Sequence, residues 1–244
     1  MTHPLVISHP YKRIIVIKLM PEMRGSITPL GYFAIRSGVR LSSERKKSAM
    51  NNKTIEFYDS NAADFAARTE NADMSECRKR FLSYLAPGGR ILDAGCGSGR
   101  DMIAFRDAGF DVSGIDASAE ICRIASEKTG ISVRQVRFEE LQGEAEYDGI
   151  WASASLLHVA REDLPDVLGR LHRLLKAGGF LYASFKYGTE DRVKDGRYFC
   201  DFTEESCRRL LEQADFAVRE IFASGDVREG RGDEMWVNAI ASRG

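Results

Sequence analysis

The sequence predicts an α/β protein with three layers, a mostly parallel β-sheet covered by helices on both faces. Three observations predict it. From residue 90 onward, short apolar runs alternate with amphipathic stretches. Repeated strand-then-helix units form a parallel sheet because each crossover lays its helix on a sheet face. Glycines at 109, 130 and 178-179 punctuate the ends of the amphipathic stretches, as helix stops do. A glycine-rich loop, Gly95-Cys96-Gly97-Ser98-Gly99, stands between the first apolar run and the helix after it.

The elements follow in order. Ile55, Phe57-Tyr58, Ala62-Ala63 and Phe65-Ala66 recur at helical spacing, and so do Met74, Cys77, Phe81-Leu82 and Leu85. Pro87-Gly88-Gly89 stops the second of these. Arg90 to Ala94 reads as a strand, Arg100 to Ala108 as a helix and Asp111 to Ile115 as a strand. Ser118 can cap a helix that runs to Thr129. Ser132–Val136 and Tyr147–Ala152 read as strands. Leu164, Val167, Leu168, Leu171, Leu174 and Leu175 make a helical stripe, and Phe180 to Phe185 a strand. A helix over Thr203–Ala214 and strands near 216–223 and 234–242 complete the series.

Composition narrows the function. A hydrophobic content of 43% supplies a core and excludes disorder of the whole chain. The net charge of −1 does not suggest a nucleic-acid clamp, and no run of 18 apolar residues suggests a membrane span. The five cysteines are scattered without a C-x-x-C pair, which fits reduced thiols in a cytoplasmic protein better than a disulfide or zinc framework. Residues 1–49 differ from the rest. They hold nine Lys/Arg against two Asp/Glu, a charge of +7, where the remainder carries −8, and they contain four of the six prolines. They read as a poorly ordered basic extension ahead of a domain over 50–244, with an organellar transit segment as the second reading.

The chemistry centres on Leu92-Asp93-Ala94-Gly95-Cys96-Gly97-Ser98-Gly99-Arg100-Asp101. Glycines here let the backbone turn tightly and touch a ligand, and a helix N-terminus behind them offers N–H groups. A dinucleotide fingerprint requires Gly or Ala at position 100. The chain has Arg100, so the loop argues against NAD or FAD and for a smaller nucleoside ligand. The sequence contains no P-loop. Asp116 ends the second strand, 21 residues after Gly95, where a carboxylate can accept both ribose hydroxyls. On its own it would read equally well as a helix-start aspartate.

These motifs resemble the class I S-adenosylmethionine-dependent methyltransferases over residues 53–244. Asp93 to Gly99 resembles that family's first motif and Gly114-Ile115-Asp116-Ala117-Ser118 its second. Tyr147–Ala152 resembles the fourth strand, and Leu174-Leu175-Lys176-Ala177-Gly178-Gly179 the segment before the fifth, with alanine where proline is usual. The resemblance implies a Rossmann-like fold with a seven-stranded sheet whose last strand is antiparallel, and S-adenosylmethionine as cofactor. It implies that Gly95, Cys96, Gly97 and Gly99 face the methionine part, that Asp93 reaches its amino group through water, and that Asp116 and Ala117 hold the ribose. Phe138 would lie by the adenine and Ser153 at the methionine end.

The acceptor side is less generic. His158, after the fourth strand, is either a general base or a structural histidine. Lys186 at the end of the fifth strand is either a solvated charge or a partner for an acidic or carbonyl-bearing substrate. Tyr58, Tyr187, Arg197 and Tyr198 are substrate-side candidates, with Tyr198-Phe199 either core aromatics or a lid and Phe57-Tyr58 either a cover or ordinary packing. No metal-ligand cluster is visible. The acidic balance of residues 50–244 favours methyl transfer to a small molecule. An RNA acceptor requires Lys186, Arg192, Lys194 and Arg197 to form a basic patch. A non-catalytic S-adenosylmethionine-binding module is the alternative from outside enzymology.

Overall fold

The computed structural model describes residues 52–228 and 230–244. The extension expected over residues 1–49 lies outside them. Three helices come first: α1 (52–60), α2 (Ala62–Thr69) and α3 (Ser75–Leu82). The alternating series then runs β1 (Arg90–Ala94), α4 (Arg100–Asp107), β2 (Asp111–Asp116), α5 (Ala119–Thr129), β3 (Val133–Gln135), β4 (Tyr147–Ala152), α6 (Leu164–Leu174) and β5 (Leu175–Lys186). A hairpin, β6 (Asp191–Lys194) and β7 (Arg197–Cys200), precedes α7 (Glu204–Gln213), β8 (Phe216–Gly225) and β9 (Met235–Arg243).

Seven strands form one sheet in the order β3-β2-β1-β4-β5-β9-β8. The pairs β1/β2, β2/β3, β1/β4 and β4/β5 are parallel. Strand β9 alone is reversed, inserted antiparallel between β5 and β8. Chain direction across the sheet switches between β1 and β4, which opens a crevice at the carboxyl ends of those strands. The two sheet faces carry separate apolar layers. One packs Leu164, Leu168 and Leu171 of α6 with Leu211 of α7, all buried, against the sheet. The other centres on Trp151, stacked on Tyr182 at 3.8 Å between ring centroids, with Phe81 and Phe105 packed around the pair.

Two local features depart from the expected elements. Strand β5 begins at Leu175, five residues ahead of Phe180, because the backbone leaves α6 straight into the edge of β4. It absorbs the Ala177-Gly178-Gly179 turn through a register shift between Tyr147 and Gly149. The β6–β7 hairpin was not expected at all. Its strands Asp-Arg-Val-Lys and Arg-Tyr-Phe-Cys carry too much charge to alternate cleanly. The readable signal was the two-residue link Asp195-Gly196. Both residues have positive φ, 53° and 78°, which is the backbone of the turn favoured by tight hairpins and by an Asp-Gly pair.

Candidate functional site

The crevice is built first from backbone. Gly95 sits at φ 81°, and a Cβ there would lie 2.4 Å from the Ser155 Cβ. Ser155 cannot yield easily, since its Oγ donates to the Ala94 carbonyl at 2.7 Å. Gly97 has φ 53° and faces the Phe65 ring of α2, with 3.3 Å available to a Cβ. The loop's own donors are largely used within the protein. Gly95 N and Cys96 N both donate to Ile115 O, at 2.9 and 3.0 Å, and Gly97 N donates to Asp116 Oδ2 at 3.3 Å. The loop therefore offers a ligand close-approach surface more than free amides.

Two carboxylates face this surface. Asp93 is 2% exposed, and its Oδ2 is one of two buried polar side-chain atoms without a partner among the described residues. Burial, reinforced by Asp101, pushes its carboxyl well above the usual range. Asp101 is held below its ordinary value despite its burial, because Arg100 and Arg78 both pair with it. Asp116 is half-buried at the end of β2. Burial raises it to about 6, against the pull of N–H donors from Ser118 and Gly97.

Helix α1 closes the crevice from above, at three points. Asn52 accepts from Arg137 at 3.0 Å, Thr54 Oγ1 accepts the Tyr198 N–H at 3.2 Å, and Asp59 accepts from Ser118 Oγ and from Glu120 N at the start of α5. Tyr58 is thereby turned inward. Its hydroxyl lies 2.8 Å from His158 Nε2. His158 Nδ1 lies 2.6 Å from the Tyr198 carbonyl oxygen, which can only accept, so Nδ1 carries the hydrogen and Nε2 receives the Tyr58 O–H. Burial, together with the nearby Arg197, lowers His158 to about 4 and keeps the ring neutral. The cleft so enclosed measures about 560 Å³ and runs from the glycine loop to β8 and β9.

Comparison with known proteins now decides the family. Residues 66–221 match the methyltransferase domain family. The chain belongs to it. The methyltransferase is 27% identical over 150 residues to an uncharacterized methyltransferase of Staphylococcus carnosus, covering 58% of this chain and 72% of that protein. It is 38% identical over 131 residues to the ubiquinone biosynthesis O-methyltransferase of Bordetella avium, covering 51% and 52%. It thus spans about half the length of that relative. Among solved structures, a 1,6-didemethyltoxoflavin-N1-methyltransferase of Burkholderia thailandensis, with bound 1,6-didemethyltoxoflavin and S-adenosylhomocysteine, superposes with a TM-score of 0.62. That match has 23% identity and covers 91% of this chain and 93% of that one. Magnesium protoporphyrin IX methyltransferase from Synechocystis superposes at 0.61 with 18% identity, covering 80% and 97%. The protein is a class I S-adenosylmethionine-dependent methyltransferase with a Rossmann-like fold.

The residues of the methyltransferase fit that cofactor. An unpartnered, buried Asp93 oxygen suits an amino group, side-chain-free backbone at Gly95 and Gly97 on the cleft wall suits close approach, and a carboxylate at the end of β2 suits a diol. Of the expected cofactor residues, Asp93, Gly95, Cys96, Gly97, Asp116, Ala117, Phe138 and Ser153 all line the cleft. Gly99 does not. Its missing Cβ makes room for Thr129 Cγ2 at 2.4 Å, so it packs α4 on α5. On the acceptor side His158, Lys186, Tyr58 and Arg197 line the cleft. Tyr198 is buried away from it, its hydroxyl accepting the Arg161 N–H at 3.2 Å. Tyr187 stands 44% exposed beside a separate surface hollow.

Lys186 is no solvated charge. It is 7% exposed, pairs with Asp226 at 2.9 Å and with Glu234, and lies 4.0 Å over the Trp236 ring. Asp226 also takes Arg228 and the Trp236 indole N–H, and against its burial Arg228 and Lys186 hold its carboxyl far below the ordinary value. Sequence reasoning missed this cluster, and it missed Asp59. Asp59 carried a faint signal, an acid placed to meet the start of a later helix, but only tertiary contact identifies which helix. Among the described residues no helix is long and apolar enough to cross a membrane, and no group of three or more His, Cys, Asp or Glu is placed to hold a metal ion.

Proposed function

We propose that this enzyme transfers the methyl group of S-adenosylmethionine to a small-molecule acceptor enclosed in the cleft. One observation carries the reading: a single continuous cavity of about 560 Å³ joins the glycine loop and Asp116 to Tyr58, His158 and the β8–β9 residues Phe222 and Trp236. That volume lies in the range of small-molecule sites. Half of the basic patch that an RNA acceptor would need is neutralised within the protein. Of its four residues, Lys186 is bound to Asp226 and Glu234, and Arg192 to Asp201 at 2.9 Å.

In this reading Asp93, Gly95, Gly97, Asp116, Ala117, Phe138 and Ser153 hold the cofactor. When bound, it supplies a methyl group already activated on a sulfonium. The chain's own work is then to exclude water, which α1 does by covering the crevice, and to orient the acceptor. Lys186 is spent on two carboxylates and keeps β5, β8 and β9 together at the cleft wall. His158 acts through Tyr58. With Nδ1 on a carbonyl and Nε2 on the phenol, it fixes where the Tyr58 oxygen points, and an acceptor meets that oxygen before it meets the imidazole. An ionised or amine nucleophile needs no stronger base.

The test is transfer of labelled methyl from S-adenosylmethionine to a small-metabolite pool and, separately, to an RNA pool. Label in the metabolite fraction is expected. Label confined to RNA overturns the acceptor assignment and leaves the family intact.

A further inference from the structure

Arg197 is the anomaly of the acceptor end. Its Nε is the second buried side-chain atom without a hydrogen-bond partner among the described residues. The guanidinium is boxed in by rings, with its carbon 4.2 Å over Phe57, 5.3 Å over Phe199 and 6.0 Å over Tyr58. Three arginines of the same region are placed differently. Arg192 grips Asp201 with two bonds, at 2.9 and 3.0 Å. Arg161 meets Asp191 at 2.6 Å, and Arg228 meets Asp226 at 2.8 Å through Nε. Apart from the Tyr58 hydroxyl, which its guanidinium meets, Arg197 has the Asp195 carboxylate at 3.5 Å, on the hairpin turn and mostly exposed. A largely buried guanidinium with an idle Nε costs stability unless a ligand uses it. Rings stacked on its face leave the planar fork as its free edge, and that fork matches an oxyanion.

Position separates this arginine from the cofactor end. Phe65 touches Gly97, Tyr58 stacks edge-on against Phe65 at 5.1 Å, and Arg197 lies beyond Tyr58. The local charge agrees. Asp226 and Glu234 are committed to Lys186 and Arg228, which leaves Arg197 and the neighbouring Lys194, also on the cleft, as the least neutralised charges there.

We propose that Arg197 is the specificity-determining residue for the acceptor, and that the acceptor is a planar molecule bearing an oxyanion group, a carboxylate or a phosphate, which Arg197 binds between Phe57, Tyr58 and Phe199. This rests on the small-molecule reading above. It also gives the β6–β7 hairpin a task, since the turn of that hairpin delivers Arg197 into the cleft.

The experiment uses the full chain saturated with S-adenosylhomocysteine and titrated, with NMR detection, with benzoate, phenyl phosphate and benzamide, which share a ring and differ in charge. Benzoate or phenyl phosphate is expected to bind at least tenfold more tightly than benzamide. Arg197→Gln is expected to erase that preference, with cofactor affinity within about twofold of the parent. Arg197→Lys, which keeps the charge without the fork, is expected to fall between, and it serves if the Gln variant does not fold. Equal binding of the three probes, binding of none, or an unchanged preference in both variants overturns the proposal. A cofactor affinity that collapses in both variants assigns Arg197 to the cofactor and overturns it too. A parent that fails to bind S-adenosylhomocysteine at all strikes the methyltransferase reading itself, which keeps the two failures apart.

Discussion

The two halves of the cleft are built by different means. The cofactor half, from β1, β2 and the loop between β1 and α4, is shaped by backbone: positive-φ glycines, amides turned onto Ile115 and Asp116, and room made by missing Cβ atoms. The half proposed above to take the acceptor, from α1, the β6–β7 hairpin and β8–β9, is shaped by side chains: a Tyr58–His158 pair, a ring-boxed Arg197 and an ion-pair cluster around Asp226. A backbone site binds whatever shares one scaffold, here a common cofactor. A side-chain site can be rebuilt residue by residue, which suits a variable acceptor. The comparison has a testable core: the first half should fail when a single carbon is added, and the second should survive when functional atoms are deleted.

The largest effect is expected at Gly95. In Gly95→Val the left-handed backbone costs about 1–2 kcal/mol. Forcing a branched side chain into the Ser155 contact costs a further ~1–3 kcal/mol. Against a total stability of about 5–15 kcal/mol, the variant should lose a large share of its fold and all measurable cofactor binding. Urea unfolding and calorimetry read both. A Gly95→Val protein as stable as the parent would remove the backbone argument for this half. Gly109 has similar φ and nothing within 4 Å of its absent Cβ. It is the control for backbone strain alone.

Asp116 comes next, and here the structure changes the expectation. The carboxylate would otherwise serve the ribose alone, but it also accepts from Gly97 N and Ser118 N. Asp116→Ala should therefore cost ~1–3 kcal/mol of stability in the ligand-free protein, as well as weakening S-adenosylhomocysteine about ten- to a hundredfold. Asp116→Asn keeps one acceptor and should fall between. A melting temperature unmoved by Asp116→Ala would return the residue to a purely ligand-facing role.

How much of this was legible beforehand follows the same division. The glycine loop, Asp116 and the strand-helix order could be read because each is a local chemical requirement: a turn that needs glycine, a helix that needs a stop, a period that needs a face. Gly99 shows the limit. Its place in the motif suggested a ligand contact, and its actual duty is to admit Thr129 from a helix 30 residues away. Lys186 shows the same. Nothing near it in sequence announces Asp226 and Glu234, which reach it only because β9 inserts between β5 and β8. Tyr198 takes the core alternative of the two the sequence leaves open, since strand alternation points its ring inward and leaves Arg197 and Phe199 to the cleft.

Two titrations sharpen the comparison, because the halves respond to acid with opposite signs. Asp116 is raised from 3.8 to about 6, so its contribution to stability is full below its unfolded value and is lost as pH rises through about 6. His158 is lowered from 6.5 to about 4, so its contribution is full above 6.5 and is lost as pH falls toward 4. Between pH 4 and 6 the two oppose each other in the ligand-free protein. Asp116→Asn should steepen the loss of stability on acidification, and His158→Asn should flatten it. Through the ionised Asp116, cofactor affinity should drop about tenfold from pH 7 to pH 5, and Asp116→Asn should remove that part of the dependence while leaving the part carried by Asp93. Calorimetry with S-adenosylhomocysteine across that range checks it, and a flat profile for the parent refutes the assignment of the ribose to this carboxylate.

The smallest cost to the fold is expected at Tyr58. Tyr58→Phe keeps the ring against Phe57 and Phe65 and deletes only the hydroxyl, which meets His158 and the Arg197 guanidinium. It should cost about 0.5–1.5 kcal/mol and leave cofactor affinity nearly unchanged. Its effect on methyl transfer separates the two roles open to His158. If the imidazole took the acceptor's proton directly, deleting the phenol would free Nε2, and transfer would hold or rise. If His158 works by positioning Tyr58, then Tyr58→Phe and His158→Asn should lower kcat by the same factor, with KM for the cofactor unmoved. The double variant should then be no slower than either single one, because both substitutions break one interaction. Rates measured on the metabolite fraction that accepts the label give all four corners of that cycle. Additive losses, or a Tyr58→Phe enzyme faster than the parent, would hand the proton to His158 and make the acceptor half a site of acid-base catalysis.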